Sequence, residues 1–507
     1  MTEHYLDRLA RTINENWDSP ALTDFYLTED GIVQDISRGN HYTYGEMYEE
    51  ILHVCDIFQS LGLQKGDHIA ICGANSAHWA IAYLAIAAYQ GVSVTTIYSQ
   101  TTKDIVRQID FSDSKALFTD ADLWDELQTQ SLPQLEHVIN LTDWQILRGK
   151  VVTLASRKAR ITNQEACFIH GNSDELAHIC FTSGSTGAAH GVMLPYRSIN
   201  NNVDNLLRNY IVSDNHNSFV FLQFSHAGEL LCDLLQQLCR GKHIFISQDI
   251  LHPKNIYQSL KVISPYMVFV VPRVLSVLTQ EYDMRELKSI RQIVTAGALL
   301  DEKTEKELER LGIPITNEYG LTECLILSSN SVTSYRHSSV GKILPTVIAR
   351  IAPNGEILVK GENVMLGYYK DLEATARKID ADGWLHTGDK GHLDEDGYLY
   401  VEGRLEQDMI VLPNGENIHP EDIERTINAL PEVSESIVFA RDGKLVAIVV
   451  PQITNQQSQI TNTDLRRIIL RNVNPSLPLY SQLYDVEITD VPLQKTEKQT
   501  IKRYLYR

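Results

Sequence analysis

The 507-residue sequence predicts an α/β fold with a smaller α+β domain at its C-terminal end, and three patterns predict it. Helical and strand-like segments alternate from Tyr42 through Asp120, which implies parallel strands with helices packed on both faces. The alternation returns between Asp283 and Thr322. After Ser339 the texture changes to short strands separated by Asn-Gly and Asp-Gly pairs.

Taken in order, Tyr42-Thr43-Tyr44-Gly45-Glu46 opens a helical pattern that runs to Leu61. Gly62 and Gly66-Asp67 then mark a turn before an apolar strand, His68 to Cys72. The most apolar region, Ala77 to Val94, is interrupted by His78, Tyr83, Tyr89, Gln90 and Gly91. A membrane span needs about 20 consecutive apolar residues, so Ala77 to Gln90 reads as a buried helix and no transmembrane segment is expected. Further on come a strand at Gln292 to Thr295, a helix at Asp301 to Leu311 and a strand at Ile313 to Asn317. Asn354-Gly355, Asp382-Gly383, Asp396-Gly397 and Asn414-Gly415 are signatures of two-residue hairpins. A helix at Pro420 to Ala429, a hairpin at Asp442-Gly443 and the strand Leu445 to Val450 make up the small domain, with its boundary near Arg404. The Ser/Gln/Asn-rich stretch from Gln452 to Thr463 reads as a surface loop.

Composition narrows the function. At 43% hydrophobic and 22% charged the chain is an ordinary globular protein. Its net charge of −20 argues against a nonspecific nucleic-acid binder, which depends on basic surface. Seven scattered cysteines, Cys55, Cys72, Cys167, Cys180, Cys232, Cys239 and Cys324, contain no CxxC pair. They fit reduced, mostly buried thiols in a cytoplasmic enzyme, and the first residues carry charges of both signs, unlike a signal peptide.

The most informative stretch is Phe181 to Val192, FTSGSTGAAHGV. Thr182, Ser183, Ser185 and Thr186 alternate with Gly184 and Gly187, so hydroxyl donors and unobstructed backbone N–H groups converge on a small volume suited to a triphosphate. It is not a Walker A loop, because no Gly-Lys pair follows at the required spacing. On its own, a polar Ser/Thr/Gly loop between two strands is the competing reading.

Downstream motifs decide between these. Asn317-Glu318-Tyr319-Gly320-Leu321-Thr322-Glu323, Gly383-Trp384-Leu385-His386-Thr387-Gly388-Asp389, Gly403-Arg404, and Gly415-Glu416-Asn417-Ile418-His419-Pro420 with Ile423-Glu424 follow in that order. They resemble the core motifs of the AMP-forming acyl-CoA synthetases, within the superfamily of acyl/aryl-CoA ligases, nonribosomal-peptide adenylation domains and luciferases. The resemblance runs from about Tyr42 to about Arg503. It implies a large N-terminal domain, 1–403, of mixed sheets with flanking helices plus a β-barrel-like subdomain, and a small mobile C-terminal lid, 404–507. A hinge follows the arginine, with Glu406 the nearest candidate.

The implied reaction joins a carboxylic acid to ATP as an acyl-adenylate, releases pyrophosphate, and transfers the acyl group to the thiol of coenzyme A. An anion attacks an anionic phosphorus, so the protein must neutralise charge and align atoms, with Mg²⁺ bridging phosphate oxygens. By resemblance, Thr182 to Gly187 and His190 hold the phosphates, Glu323 approaches Mg²⁺, Thr322 a phosphate, and Tyr319 lies against the adenine. Ala296, Gly297 and Ala298 match the strand end that receives the adenine, and Asn317, Glu318 and Gly320 belong to the same nucleotide motif. Asp389 resembles the aspartate that binds the ribose hydroxyls and Arg404 a cation directed to the same sugar. Phe224 to Gly228 match the wall of the acyl pocket, with His226 near the substrate carboxylate.

Two positions depart from the pattern. The family loop ends Pro-Lys-Gly where this chain has Ala189-His190-Gly191, and a histidine, with an unperturbed pKa near ~6.5, gives only pH-dependent help. Near the C-terminus, Thr500 stands where the adenylation lysine belongs, and Lys498 is the candidate replacement if the loop shifts by two residues. The leading expectation is a ligase for a medium or long acyl chain, since Pro413 to Asn417 and Val270-Val271-Pro272-Arg273 look most like the long-chain fatty acyl branch. The alternatives are a nucleotide or acyl-adenylate binding protein with weakened catalysis, and an enzyme that delivers its acyl group to an acyl carrier protein through the basic tail of Lys495, Lys498, Lys502, Arg503 and Arg507.

Overall fold

In the computed structural model of the chain, Thr43 and Glu46 start the long helix Tyr44–Leu61 by satisfying each other's backbone. The Thr43 hydroxyl accepts from Glu46 N at 3.1 Å and the Glu46 carboxylate accepts from Thr43 N at 2.8 Å. Gly62, at φ 80°, ends the helix in the left-handed conformation that only glycine adopts without strain. The structure describes residues 3–25, 39–149, 165–182, 190–209, 217–248, 252–298, 300–331, 333–405, 410–412, 416–418, 420–452, 461–494 and 505–506. The chain divides into two units. One comprises Met1–Phe181, Gly191–Thr387 and Gly391–Glu402, and the other Thr182–His190, Gly388–Lys390 and Gly403–Arg507.

Two sheets organise the larger unit. In the first, of eight strands, Leu176–Thr182, Val92–Thr95, His68–Cys72, Ala116–Thr119 and His137–Asn140 lie side by side in parallel. In the second, of nine, the parallel run is Ile315–Leu321, Gln292–Thr295, Met267–Phe269, Asn217–Val220, His243–Ser247 and Pro20–Phe25. The strands are mostly buried, as expected for parallel sheets covered on both faces. The helix Ala77–Ala88 touches strands of both sheets, which explains why it has no polar face. Among the described residues no helix is long and apolar enough to cross a membrane. In parallel sheets of this kind ligands bind beyond the carboxyl ends of the strands, and Ala296 directly follows the strand Gln292–Thr295.

The Asn-Gly and Asp-Gly turns correct one expectation. Three of the four pairs close three-residue loops instead of two-residue ones. Ala352 N bonds Glu356 O across Pro353-Asn354-Gly355, Asp380 N bonds Trp384 O across Ala381-Asp382-Gly383, and Asp394 N bonds Tyr398 O across Glu395-Asp396-Gly397. The glycine is the last loop residue each time, at φ 87°, 80° and 80°. The Asp380 and Asp394 carboxylates accept backbone N–H groups inside their own loops, which fixes the longer form. Asn414-Gly415 lies outside the described residues. Of the strands in this region, Val347–Ile351, Glu356–Gly361, Leu385–Leu393 and Leu399–Arg404 form a four-stranded sheet.

The smaller unit has its own core. Strands Val433–Arg441, Lys444–Pro451 and Leu483–Ile488 form a sheet, covered by the helices Pro420–Asn428 and Asn462–Val473. Ile423, Ile427, Val438, Ala447, Leu465 and Ile469 pack between them. Asp442-Gly443 is a true two-residue hairpin, with both residues at positive φ and Arg441 paired to Lys444.

Candidate active site

The strand Gln292–Thr295 ends at Ala296 and turns through Gly297, whose φ of 85° requires glycine. A Cβ on Gly297 would meet nothing within 4 Å, so open space lies over this strand end, as a flat ring against the backbone would need. Ala298 follows, partly exposed. The neighbouring strand Ile315–Leu321 runs parallel in register Thr295↔Asn317, which sets Asn317 to Gly320 beside that turn. Asn317 and Glu318 are buried, at 4% and 2% exposure, whereas Tyr319 and Gly320 are half-buried. Glu318 accepts hydrogen bonds from Ser329 Oγ at 3.0 Å and Cys232 Sγ at 3.6 Å. Gly320 answers a packing demand, since a Cβ there would sit 2.0 Å from the Leu325 carbonyl oxygen.

Thr322 and Glu323 occupy the tip of the hairpin formed with Leu325–Ser329, and three contacts hold that tip. Met365 N donates to Glu323 O at 2.9 Å, Asn363 Nδ2 donates to Cys324 O at 2.7 Å, and Ile326 N donates to Asn202 Oδ1 at 2.9 Å. Leu325 has φ 55°, a strained conformation for a branched side chain, and it directly follows this tip. The Glu323 carboxylate accepts from the Tyr368 hydroxyl at 2.7 Å. Burial and the charge of Glu323 push the Tyr368 hydroxyl above its ordinary pKa, so it stays a donor at every accessible pH. Tyr368 was not foreseen, because it lies 45 residues away and arrives only through the pairing of Gly367–Tyr368 with Val192 and Met193 in the first sheet.

His226 sits just before the helical turn Ala227–Glu229, in a loop anchored by residues the sequence did not single out. Asn75 receives Phe224 N on its Oδ1 at 2.9 Å and donates to Leu222 O at 2.6 Å. Thr95 donates to Ser225 O at 3.1 Å, and Cys180 Sγ approaches the same oxygen at 3.5 Å. Burial drops His178 to about 3, so it is neutral and its Nε2 can donate to Thr95, 2.9 Å away. A Cβ on Gly228 would meet nothing within 4 Å, which leaves space beside this loop. The chain then enters a π-helical stretch, Leu230–Leu235.

Thr182 closes its strand and His190 opens the next, flanking the phosphate-loop candidates Ser183, Gly184, Ser185, Thr186 and Gly187, which lie outside the described residues. Asp389 is buried, and Arg404 ends the strand Leu399–Arg404, with Leu405 N donating to Gly388 O at 2.8 Å. The Arg404 side chain, Glu406, Lys498 and Thr500 also lie outside the described residues. All seven cysteines are free, and they are mostly buried as expected: Cys55 is half-buried and Cys167 exposed.

A family model described as AMP-binding enzyme matches residues 9–369, and another described as AMP-binding enzyme C-terminal domain matches residues 407–506. The chain belongs to the AMP-binding enzyme family and is an acid–CoA ligase homologue within it. It is 26% identical to 4-coumarate–CoA ligase 1 of Petroselinum crispum, over 90% of this chain and 86% of that one. It is 30% identical to indoleacetate–CoA ligase of Aromatoleum aromaticum, over 54% and 57%. Among solved structures its fold is similar to o-succinylbenzoate CoA synthetase from Bacillus subtilis bound to a product analogue, with TM-score 0.79 and 22% identity over 98% of this chain and 97% of that one. It is similar also to the amide bond synthetase McbA from Marinactinospora thermotolerans, with TM-score 0.80 and 22% identity over 98% and 99%.

Proposed function

We propose that this protein converts a medium or long-chain carboxylic acid and Mg²⁺-ATP to an acyl-adenylate and pyrophosphate, then passes the acyl group to the thiol of coenzyme A. The observation that carries the proposal is the Glu323 carboxylate, fixed at a braced hairpin tip with one oxygen engaged by Tyr368. That oxygen donor suits Mg²⁺, which on nucleotides takes one or two carboxylates, phosphate oxygens and water. Among the described residues no group of three or more His, Cys, Asp or Glu is arranged to hold a metal ion. Bound beside Glu323, the cation would neutralise charge on the pyrophosphate leaving group.

In this reading Gly297 leaves the adenine room, Tyr319 flanks it, and Asp389 accepts from the ribose hydroxyls. Thr182 to Gly187 and His190 receive the phosphates, and Thr322 donates to one of them. His226 stands at the carboxylate end of the acyl pocket. Residues 404–507 act as the lid that brings Lys498 or Thr500 to the reacting carboxylate. The relatives named for coumarate and indoleacetate show how varied the acid can be in this family, so an acid panel should contain aromatic as well as aliphatic members.

Tyr368→Phe keeps the ring and removes the hydroxyl that orients Glu323. The KM for Mg²⁺-ATP is expected to rise about tenfold while the KM for the acid stays put, with a stability loss of about 1 kcal/mol. Equal changes in both KM values would contradict a positioning role.

The missing lysines give a second test. Charge that Thr500 cannot supply is worth about 3–4 kcal/mol in the transition state, so Thr500→Lys with His190→Lys is expected to raise adenylate formation about a hundredfold. AMP release with hydroxylamine as acceptor reports adenylate formation, and release with coenzyme A or a carrier protein's phosphopantetheine arm reports transfer. An active wild type indifferent to both lysines would show that Lys498 already fills the role or that these positions are misplaced.

A further inference from the structure

The strand His190–Pro195 runs directly into the helix Tyr196–Asn209, and a second segment is fastened along it. Tyr369 N donates to Gly191 O at 2.8 Å, Tyr368 pairs with Val192, and Leu366 N donates to Met193 O at 2.8 Å. A side chain makes the next fastening. Arg197 Nη1 donates to Glu362 O at 2.8 Å and to Val364 O at 3.0 Å, so both hydrogens of one nitrogen engage the carbonyls that flank Asn363. Arg197 is itself held, by its Nε on Asp174 at 3.0 Å and its backbone N–H on Ser173 O at 2.7 Å.

The fastened segment is the one that holds Glu323. Asn363 Nδ2 donates to Cys324 O, Met365 N to Glu323 O, and the Tyr368 hydroxyl to the Glu323 carboxylate. Strand pairing sets Tyr368, but residues 362–365 precede the paired strand Gly367–Tyr368. Arg197 is what ties two of their carbonyls to the helix. Asn363, Val364 and Met365 are buried, and a charged donor to a carbonyl in such a loop is among the stronger hydrogen bonds a side chain can make.

We infer that Arg197 is a positioning residue for adenylate formation: by fixing the Glu362 and Val364 carbonyls it sets where Asn363 and Met365 meet the hairpin tip, and so where Glu323 stands. The inference rests on the reading of Glu323 as the carboxylate that faces Mg²⁺. Without the guanidinium, Tyr368 would still orient the Glu323 side chain, while the backbone beneath it could shift. A misplacement of about 1 Å is enough to cost a reacting site much of its rate.

Three variants test this. Arg197→Met keeps the aliphatic stem and removes the donors, Arg197→Lys keeps the charge without the planar fork, and Asp174→Ala removes only the ion pair, whose carboxylate is 86% exposed. Thermal melts confirm folding. With no nucleotide present, the Met365 amide of Arg197→Met is expected to exchange its hydrogen about tenfold faster than in wild type, while the Tyr369 amide keeps its rate. The Mg²⁺ needed for half-maximal pyrophosphate exchange is expected to rise about tenfold in Arg197→Met and about threefold in Arg197→Lys, with the KM for the acid unchanged and Asp174→Ala like wild type. Added to Glu323→Gln, Arg197→Met should raise the Mg²⁺ requirement no further.

A Met365 amide as protected as in wild type, an equal rise in the KM for the acid, or effects that multiply in the double variant would overturn the inference. Should Arg197→Met fail to fold, Arg197→Lys carries both measurements, and wild-type values in it overturn the inference. A Mg²⁺ requirement that shifts in Glu323→Gln but not in Arg197→Met sinks the inference alone. One that shifts in neither sinks the metal reading of Glu323 and the inference with it.

Discussion

Glu323→Gln is expected to leave the fold intact and to reduce adenylate formation by about a hundredfold or more. Glutamine has the shape of glutamate, and its amide oxygen can still accept the Tyr368 hydroxyl, so the hairpin tip keeps its bracing by Met365, Asn363 and Asn202. What is lost is the negative charge that a phosphate-bound cation needs from the protein. The deficit should appear chiefly in the requirement for Mg²⁺, and raising the cation concentration should recover part of the rate. Titrating Mg²⁺ against the exchange rate in wild type and variant checks this. An unchanged Mg²⁺ dependence would remove Glu323 from the metal site.

Gly320→Ala acts on folding instead. The added Cβ would stand 2.0 Å from Leu325 O, 2.8 Å from Leu325 C and 2.9 Å from Ile326 Cα, all of them backbone atoms. No side-chain rotation relieves such a clash, so the strand pair that presents Thr322 and Glu323 must spread apart. The cost is expected to exceed about 3 kcal/mol, visible as a large fall in denaturant midpoint or in soluble yield. Gly297→Ala makes an instructive contrast. Its φ of 85° penalises alanine, but open space surrounds the new methyl group, so about 1–2 kcal/mol is expected. The same methyl would obstruct a ring lying over the strand end, so Gly297→Ala should weaken ATP binding more than it weakens the fold. Calorimetry and unfolding measured side by side distinguish the two glycines.

The elements that sequence reading placed well are those whose signal is local. The strands His68–Cys72 and Gln292–Thr295 are short apolar runs with clear punctuation, and the helix Ala77–Ala88 is apolar all round because both sheets bury it. The motif order led to the right family. The misread turns share a cause: Asn-Gly and Asp-Gly suit both two- and three-residue loops, and only the side-chain bonds of Asp380 and Asp394 choose between them. Asn75 and Tyr368 escaped notice for a different reason. Their partners Phe224 and Glu323 are 149 and 45 residues away, and nothing local in the sequence marks a polar side chain that will meet a distant loop.

Acid-dependent exchange of labelled pyrophosphate into ATP tests the central claim most directly, because it reports the first half-reaction alone and needs no acceptor thiol. With Mg²⁺ present, and pH varied from about 6 to 9 to span histidine titration, label is expected in ATP only when a suitable acid is added. The same exchange should collapse in Glu323→Gln. Label that enters ATP regardless of acid, or an ATP pool that stays unlabelled across the whole acid panel while calorimetry registers bound ATP, would contradict the account.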